Sequence, residues 1–251
     1  MAQVNDYPYN SRYELILQHN SITNEPFIAL PAPHSNVRLT SAQLSDVDSI
    51  LPIMNSPDVA MNFSSPPFPF LRVHCEAWLR DRVRDYENTM IHIRNVDGDV
   101  GYIDVFPLRH IREVGPNGAE IFLGDVGLDR EDAFEDIGDV EARKARVAEN
   151  AGPPTGDSDI VWSFGDYIRS THRGRGIMTA IVKTIIESWA IPHMNARKYG
   201  VSAFTDNIGS QKVFLKNGFQ FTRKIEGVVT FPESKGGHVK DCYCYRLEIP
   251  G

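Results

Sequence analysis

The sequence lacks the features that define several classes of protein. Three cysteines among 251 residues cannot form a paired disulfide framework. The eight histidines show no ligand spacing with one another or with cysteine, so we expect no metal site. There is no apolar run of transmembrane length. The first residues also lack the basic stretch and following apolar segment that are typical of a secretory signal peptide. We therefore expect no membrane partner and a cytoplasmic or nuclear location.

Positive charge is also in deficit. The chain has 26 Lys and Arg against 33 Asp and Glu, a formal net charge of −7. This balance argues against nucleic acid as a partner and favours a cationic amine. Hydrophobic residues make up 41% and charged residues 24% of the chain, so it can bury a full core. The composition indicates one globular domain.

The stretch from Ile160 to Asn195 changes its periodicity in the middle. Bulky β-favouring residues alternate up to Ile168, whereas Ile177, Ile181, Ile185 and Trp189 recur at helical spacing. Between them lies a glycine-spaced loop, Arg173-Gly174-Arg175-Gly176. The loop is thus predicted at a helix N-terminus, where unpaired backbone N–H groups and the helix dipole hold anions such as phosphate.

Three types of phosphate loop compete for this stretch. A nucleotide-triphosphate loop requires Lys after its last glycine, but Ile177 follows Gly176. A dinucleotide fingerprint requires a third glycine where Thr179 stands, and no acid lies at the ribose-binding distance. The residues do resemble the pyrophosphate loop R/Q-x-x-G-x-G/A of the GNAT N-acetyltransferases. Met178 departs from that pattern, because the family has a small residue there. An isolated RGRG could also be a solvated basic turn.

A second block, Asn207 to Phe219, resembles the N-x-x-S…G-F signature of the same family. Asn207 is a good helix N-cap and Gly218 suits the position after a helix, so a short helix is predicted between two strands. The resemblance extends over roughly residues 36 to 248 and is closest to the ribosomal-protein N-terminal acetyltransferase branch, the RimJ and RimL type. It implies an α/β (α+β) fold with a mixed, mostly antiparallel sheet flanked by helices and splayed at the cofactor-binding strand.

The expected organisation follows from the resemblance. Residues 1–35 form an extended lead-in, and residues 36–251 form the acyltransferase domain with an insertion at about 108–158. That insertion is either a solvated flap or a lid that shapes the substrate site. Residues 90–107 read as a β-hairpin, after a helix over residues 72–87.

The resemblance also implies a site. Acetyl-CoA would be held by Arg173, Gly174, Arg175, Gly176, Ile177, Met178 and Thr179, with the backbone of Tyr167 and Ile168 along its arm and Asn207 and Ser210 beside it. Phe214 stands where many relatives carry a tyrosine acid, so Ser210 is the candidate proton donor, unless it only caps its helix. Asp166 is the candidate base, with Asp104, Glu120 or a water chain as alternatives.

The implied reaction is acetyl transfer to a primary amine by direct attack in a ternary complex. No sequence feature would activate Cys242 or Cys244 as an acyl carrier. The acceptor is a protein N-terminus, a lysine or a small cationic amine, and the oligomeric state stays open. The alternative is a catalytically silent CoA-binding or scaffold protein, which the departures at Met178 and Phe214 motivate.

Overall fold

A nine-stranded open sheet runs through the computed structural model, which describes residues 9–20, 23–95, 98 and 100–251. Its spatial order is β1-β2-β3-β4-β5-β6-β7-β9-β8, and all neighbours are antiparallel except β6 and β7. This confirms the mixed, mostly antiparallel sheet. The strands are β1 Gln18–His19, β2 Pro26–Ala29, β3 Val37–Thr40, β4 His110–Val114, β5 Glu120–Arg130, β6 Val161–Ile168, β7 Lys198–Phe204, β8 Gln220–Thr230 and β9 Val239–Glu248.

Helices cover both faces of the sheet and take part in two large apolar clusters, beside a third small one of Phe204, Phe231 and Cys242. Against one face, the larger apolar cluster joins the sheet to α5, the following π-helical turn Ile186–Ala190 and α6. Against the other face, a smaller cluster joins α1 and the first half of α3 to Phe122 and Tyr167. The helices are α1 Val47–Met54, α2 Pro57–Ala60, α3 Arg72–Ile93, α4 Val140–Ala151, α5 Ile177–Ile185, α6 Ile191–Met194 and α7 Ile208–Lys216.

A β-bulge decides which residues of β5 face α1 and α3. The register between β4 and β5 shifts after Ile111, so that Phe122 lies opposite Arg112 and Gly124 opposite Ile111. The extra residue reverses the alternation of side chains, because one inserted position moves the following residues to the opposite face. As a result, Asp125 faces the same helices as Phe122.

Two expectations about chain organisation need correction. Residues 90–93 continue α3 rather than starting a hairpin, and residues 100–107 have no regular secondary structure; the turn positions 96, 97 and 99 lie outside the described residues. Part of the segment expected as an insertion, 108–158, forms the central strands β4 and β5. The sequence did not indicate these strands, because β4 contains His110, Arg112 and Glu113 and β5 is interrupted by Gly124 and Asp125. The excursion from the sheet is shorter, running from residue 131 to 160 and including α4.

Helix α4 is fixed to the sheet rather than loosely attached. The buried Asn150 side chain donates to the carbonyl oxygens of Glu131 and Val161 and accepts the Val161 N–H at 2.8 Å. From β5, Arg130 donates to the carbonyl oxygens of residues 150, 151 and 153. These bonds satisfy the helix end, which would otherwise leave buried carbonyls unpaired.

Candidate active site

The sheet opens between β6 and β7. These parallel strands pair only at Val161 with Lys198 and at Trp162 with Tyr199. Beyond this point β6 stays with β5, whereas β7 stays with β9 along its whole length. The strands therefore diverge toward the C-terminal end of β6, which confirms the predicted splay. A cavity of about 950 Å³ fills this opening, and we call it the main cavity.

The glycine loop lies at one wall of the main cavity and leads into α5. Gly174 has φ +73° and Gly176 has φ +81°, a left-handed conformation that glycine adopts without strain. A Cβ at Gly174 would meet no described atom within 4 Å, so the loop faces open space. Gly176 is the N-cap of α5, and the first N–H groups after it have no intrahelical partner. The predicted position of the glycine loop at a helix N-terminus is confirmed, and the binding of an anion there stays a prediction.

Most of the residues expected at the site line this cavity together. They are Asp166, Tyr167, Ile168, Arg173, Gly174, Gly176, Ile177, Met178, Thr179, Asn207 and Ser210. Arg175 does not line it, because its guanidinium lies 3.5 Å from Glu113 on β4. Arg173 reaches back from the loop, donating to the carbonyl of Ile168 at 3.2 Å and to that of Asp58 at 3.3 Å.

The two departures from the family pattern have different consequences. The Met178 side chain is buried in the larger apolar cluster, so it fills core space beneath the loop. Phe214 is also a core residue, packed with its ring centroid 5.2 Å from that of Phe219. It cannot donate a proton. The nearby Ser210 is half-buried and lines the main cavity one turn earlier on α7.

Hydrogen-bond alternation along β6 decides which backbone groups face the opening. Glu131 N–H donates to the Val161 carbonyl, and Arg169 N–H donates to the Leu123 carbonyl. Odd-numbered residues of β6 therefore bond to β5, and even-numbered residues direct their N–H and C=O groups away from it. Phe164, Asp166 and Ile168 thus face the gap. Tyr167, in register with Asp125, directs its backbone toward β5 instead.

Asp166 lies where the main cavity meets a second, smaller one of about 340 Å³. Burial, helped by the neighbouring Asp125 carboxylate, raises the pKa of Asp166 to about 6. The two other candidate bases lie outside both cavities. Asp104 pairs with Arg130 at 2.6 Å, and Glu120 lies between Arg38 and Arg112 at 3.8 and 3.7 Å.

The smaller cavity, which we call the chamber, has apolar walls and a charged floor. Ile50, Met54, Phe63, Phe70 and Trp78 form its walls. Arg109, Asp125, Asp166 and Tyr167 line its sheet side. The Tyr167 hydroxyl is buried without a hydrogen-bond partner among the described residues, and burial holds its pKa well above the ordinary value, so it stays protonated. The chamber thus combines apolar walls with charged groups and an unpaired hydroxyl on its sheet side.

The sequence interpretation missed several residues at the site. Lys212 and Lys216 of α7 line the main cavity and add positive charge, while Asp125 and Arg109 serve the chamber. The lysines look like an ordinary exposed helix face. Asp125 carried the only available signal, a carboxylate inside the otherwise apolar Phe122–Leu128 part of a strand. A buried charge of this kind needs a partner or a function.

Residues 36–220 match the family model described as acetyltransferase (GNAT) domain. No curated protein matches the sequence. In the described residues, no helix is long and apolar enough to cross a membrane, and no group of three or more His, Cys, Asp or Glu side chains could hold a metal ion.

Solved structures share the fold at low identity. The ribosomal-protein-S5-alanine acetyltransferase from Vibrio fischeri superposes with TM-score 0.56 at 15% identity, covering 85% of this chain and 93% of its own. RimL, the ribosomal L7/L12 α-N-protein acetyltransferase in complex with coenzyme A, gives 0.55 at 11%, covering 89% and 98%. The microcin C7 self-immunity acetyltransferase MccE, in complex with acetyl-CoA and AMP, gives 0.55 at 13%, covering 86% and 93%.

Proposed function

Because the chain belongs to the GNAT acetyltransferase family, we propose that it transfers an acetyl group from acetyl-CoA to a primary amine. One observation carries this proposal: the gap between β6 and β7 opens beside a left-handed glycine loop at the start of α5, and a single cavity of about 950 Å³ spans both. A cofactor with an extended arm and a pyrophosphate needs both features in one place.

The residues present fit that cofactor. The open space above Gly174 and the unpaired N–H groups that begin α5 suit a pyrophosphate, with charge from Arg173, Lys212 and Lys216. The backbone of Phe164 and Asp166 suits an amide-containing arm, as another strand would, because those groups face the gap. When bound, acetyl-CoA supplies an activated acyl thioester. We assign Asn207 and Ser210 to the opposite wall.

The acceptor is proposed to enter the chamber, because the chamber meets the main cavity at Gly165 to Tyr167. An amine in the chamber would approach the acyl group from the side of the sheet opposite the larger core. The negative overall charge favours a cationic acceptor, and a protein N-terminus, a lysine and a small amine all satisfy this requirement. Attack would be direct, since burial raises the pKa of Cys242 and of Cys244 to about 12 and leaves both thiols protonated.

Proton transfer is proposed to involve two groups already named. The Ser210 hydroxyl would donate toward the sulfur, since it lines the main cavity where Phe214 cannot serve. Asp166 would accept a proton from the nitrogen, since it borders both cavities and its pKa of about 6 leaves it largely ionised at neutral pH.

The test combines binding with turnover. Calorimetry with acetyl-CoA measures occupancy of the main cavity, and release of free thiol across a panel of amines measures transfer. The panel should include peptides with different N-terminal residues, lysine and small alkyl and aryl amines. We expect binding and transfer to at least one class. Binding without transfer to any amine would instead support the catalytically silent alternative, and absence of binding would contradict the proposal.

A further inference from the structure

A row of polar side chains crosses the sheet beneath α1 and α3. The strand register places Thr40 opposite His110, His110 opposite Asp125, and Asp125 opposite Tyr167. All four lie on the face that the smaller apolar cluster covers, and Asp46 at the start of α1 extends the row. Charged groups this deeply buried are destabilising unless they are paired, so an unpaired one points to a function.

One end of the row is fully paired. Asp46 accepts hydrogen bonds from Arg112 Nη2 at 2.8 and 2.7 Å and lies 2.7 Å from His110 Nδ1. Although burial acts to raise it, these contacts from His110 and Arg112 hold the pKa of Asp46 below its ordinary value. An ionised Asp46 only accepts hydrogen bonds, so Nδ1 of His110 must carry the hydrogen.

At the other end of the row, no hydrogen bond joins His110 to Asp125. With the hydrogen on Nδ1, Nε2 of His110 is the acceptor nitrogen of the ring, and the atom that faces it is Asp125 Oδ2 at 3.8 Å. Both atoms are buried, and neither has a hydrogen-bond partner within the described ranges. At 3.8 Å the two atoms are too far apart for a hydrogen bond. A single added proton would turn this gap into a hydrogen bond.

Asp125 connects this gap to the chamber. It is 4% exposed and lines the chamber floor, with Oδ1 3.6 Å from Arg109 Nη2. Arg109 is shared with Asp129 on the outer side, at 3.0 Å. The charged and titratable groups facing Asp125 are Arg109 and His110 from β4 and Asp166 and Tyr167 from β6, with Cys75 of α3 nearby in the same cluster.

The chemistry of amine acetylation requires two proton acceptors. An ammonium nitrogen loses one proton before it attacks and a second as the amide forms, while the sulfur gains only one. We propose that the Asp125–His110 pair takes the first of these protons from the acceptor ammonium. This inference rests on the proposed function, and it leaves Asp166, which borders the main cavity, to take the second.

The step balances without any other reactant. Asp125 attracts the ammonium, one N–H bond breaks, and its electron pair stays on nitrogen. The proton bonds to His110 Nε2 and is shared with Asp125 Oδ2, while Asp46 stabilises the imidazolium through Nδ1–H. The second proton, taken by Asp166, replaces the one that Ser210 gives to the sulfur. The overall reaction therefore releases one proton, which the pair returns to solvent after each turnover.

The decisive variant is Asp125→Asn. The new side-chain amide can donate a hydrogen bond to His110 Nε2 and accept one from Arg109. It cannot, however, accept a proton. We expect kcat/KM for the amine to fall about 100-fold, with unchanged acetyl-CoA affinity and a thermal midpoint that is unchanged or higher. The loss should shrink about tenfold for each pH unit toward the pKa of the amine, because free amine then needs no acceptor.

The matched control is Asp129→Asn. It removes the other carboxylate on Arg109 from a position that is 57% exposed and outside the chamber. We expect kcat/KM within about twofold of the unsubstituted protein. Nitrogen-15 NMR of the unsubstituted protein, assigned by comparison with His110→Gln, provides a readout that needs no turnover. It should show the Nδ1–H tautomer of His110 at neutral pH.

The outcomes separate the two proposals. If the unsubstituted protein acetylates no amine, the proposed function fails, and the role inferred for the pair fails with it. If it does, normal kcat/KM in Asp125→Asn would overturn this inference alone, as would an Nε2–H tautomer of His110. A lowered midpoint with normal kcat/KM would leave the pair with a structural role only.

Discussion

The Asn207 side chain accepts a hydrogen bond from the backbone N–H of Ser210 at 3.1 Å. This bond caps α7, so the capping oxygen belongs to Asn207 and not to the Ser210 hydroxyl. The sequence left open whether Ser210 donates a proton or only caps its helix, and this bond shows that the cap does not need its hydroxyl. Ser210 itself lines the main cavity.

Ser210→Ala should therefore lower kcat about 10- to 100-fold with little change in acetyl-CoA affinity, because coenzyme A is already a fair leaving group and needs only modest acid assistance. The free energy of unfolding should stay within about 0.5 kcal/mol. Asn207→Ala provides the structural comparison, with a loss of about 1 kcal/mol. Steady-state kinetics and urea denaturation measure both. Normal kcat in Ser210→Ala would remove the serine from the proton path.

Gly174→Glu should abolish coenzyme A binding by placing a carboxylate where the anion is expected. The left-handed backbone also costs any other residue about 1 to 2 kcal/mol. Gly118→Glu is the matched control, since Gly118 has φ +80°, equally open surroundings and a position outside both cavities. Calorimetry should show lost binding in the first variant only. Equal affinity in the two variants would contradict the phosphate site.

We expect the raised pKa of Asp166 to set the acidic limb of the pH–rate profile. A base with a pKa of about 6 is ionised above that pH, so kcat should fall about tenfold per unit as the pH drops below 6. Asp166→Asn should lower kcat about 100-fold at pH 7 and remove this limb. Asp104→Asn tests the rival outside the cavities and should keep the limb. An unchanged limb in Asp166→Asn would assign the proton to another group.

His193 should make the fold sensitive to acid. It is 4% exposed and its ring stacks on Tyr13 at 4.3 Å. Burial, with a smaller contribution from Arg12, lowers its pKa to about 4, so the unfolded chain binds a proton first as the pH falls. Stability should be unaffected above about pH 6.5 and fall by up to about 3 kcal/mol as the pH drops to 4.

His193→Phe keeps the ring stack and removes the titration. Urea denaturation at pH 7 and pH 4.5 should show a smaller loss for this variant than for the unsubstituted protein. The same pH dependence in both proteins would assign the acid sensitivity to other groups.

The sequence by itself determined the elements around the cofactor. The change of period across Arg173 to Gly176, the N-cap at Asn207 and the glycine at 218 correctly predicted β6, α5, β7 and α7, because these signals are local and strong. The same signals carried the family resemblance and hence the sheet type. They failed where polar residues interrupt a strand, as in β4 and β5, and where α3 runs on past residue 87.

Only the tertiary structure decided how the chamber is built. A bulge after Ile111 turns Asp125 toward α1 and α3, and strand register then places it between His110 and Tyr167. Asp46, His110 and Asp125 are up to 79 residues apart in the sequence, from 46 to 125, so no local pattern links them. Their contacts depend on long-range strand pairing and burial, which also bring the apolar walls of the chamber together.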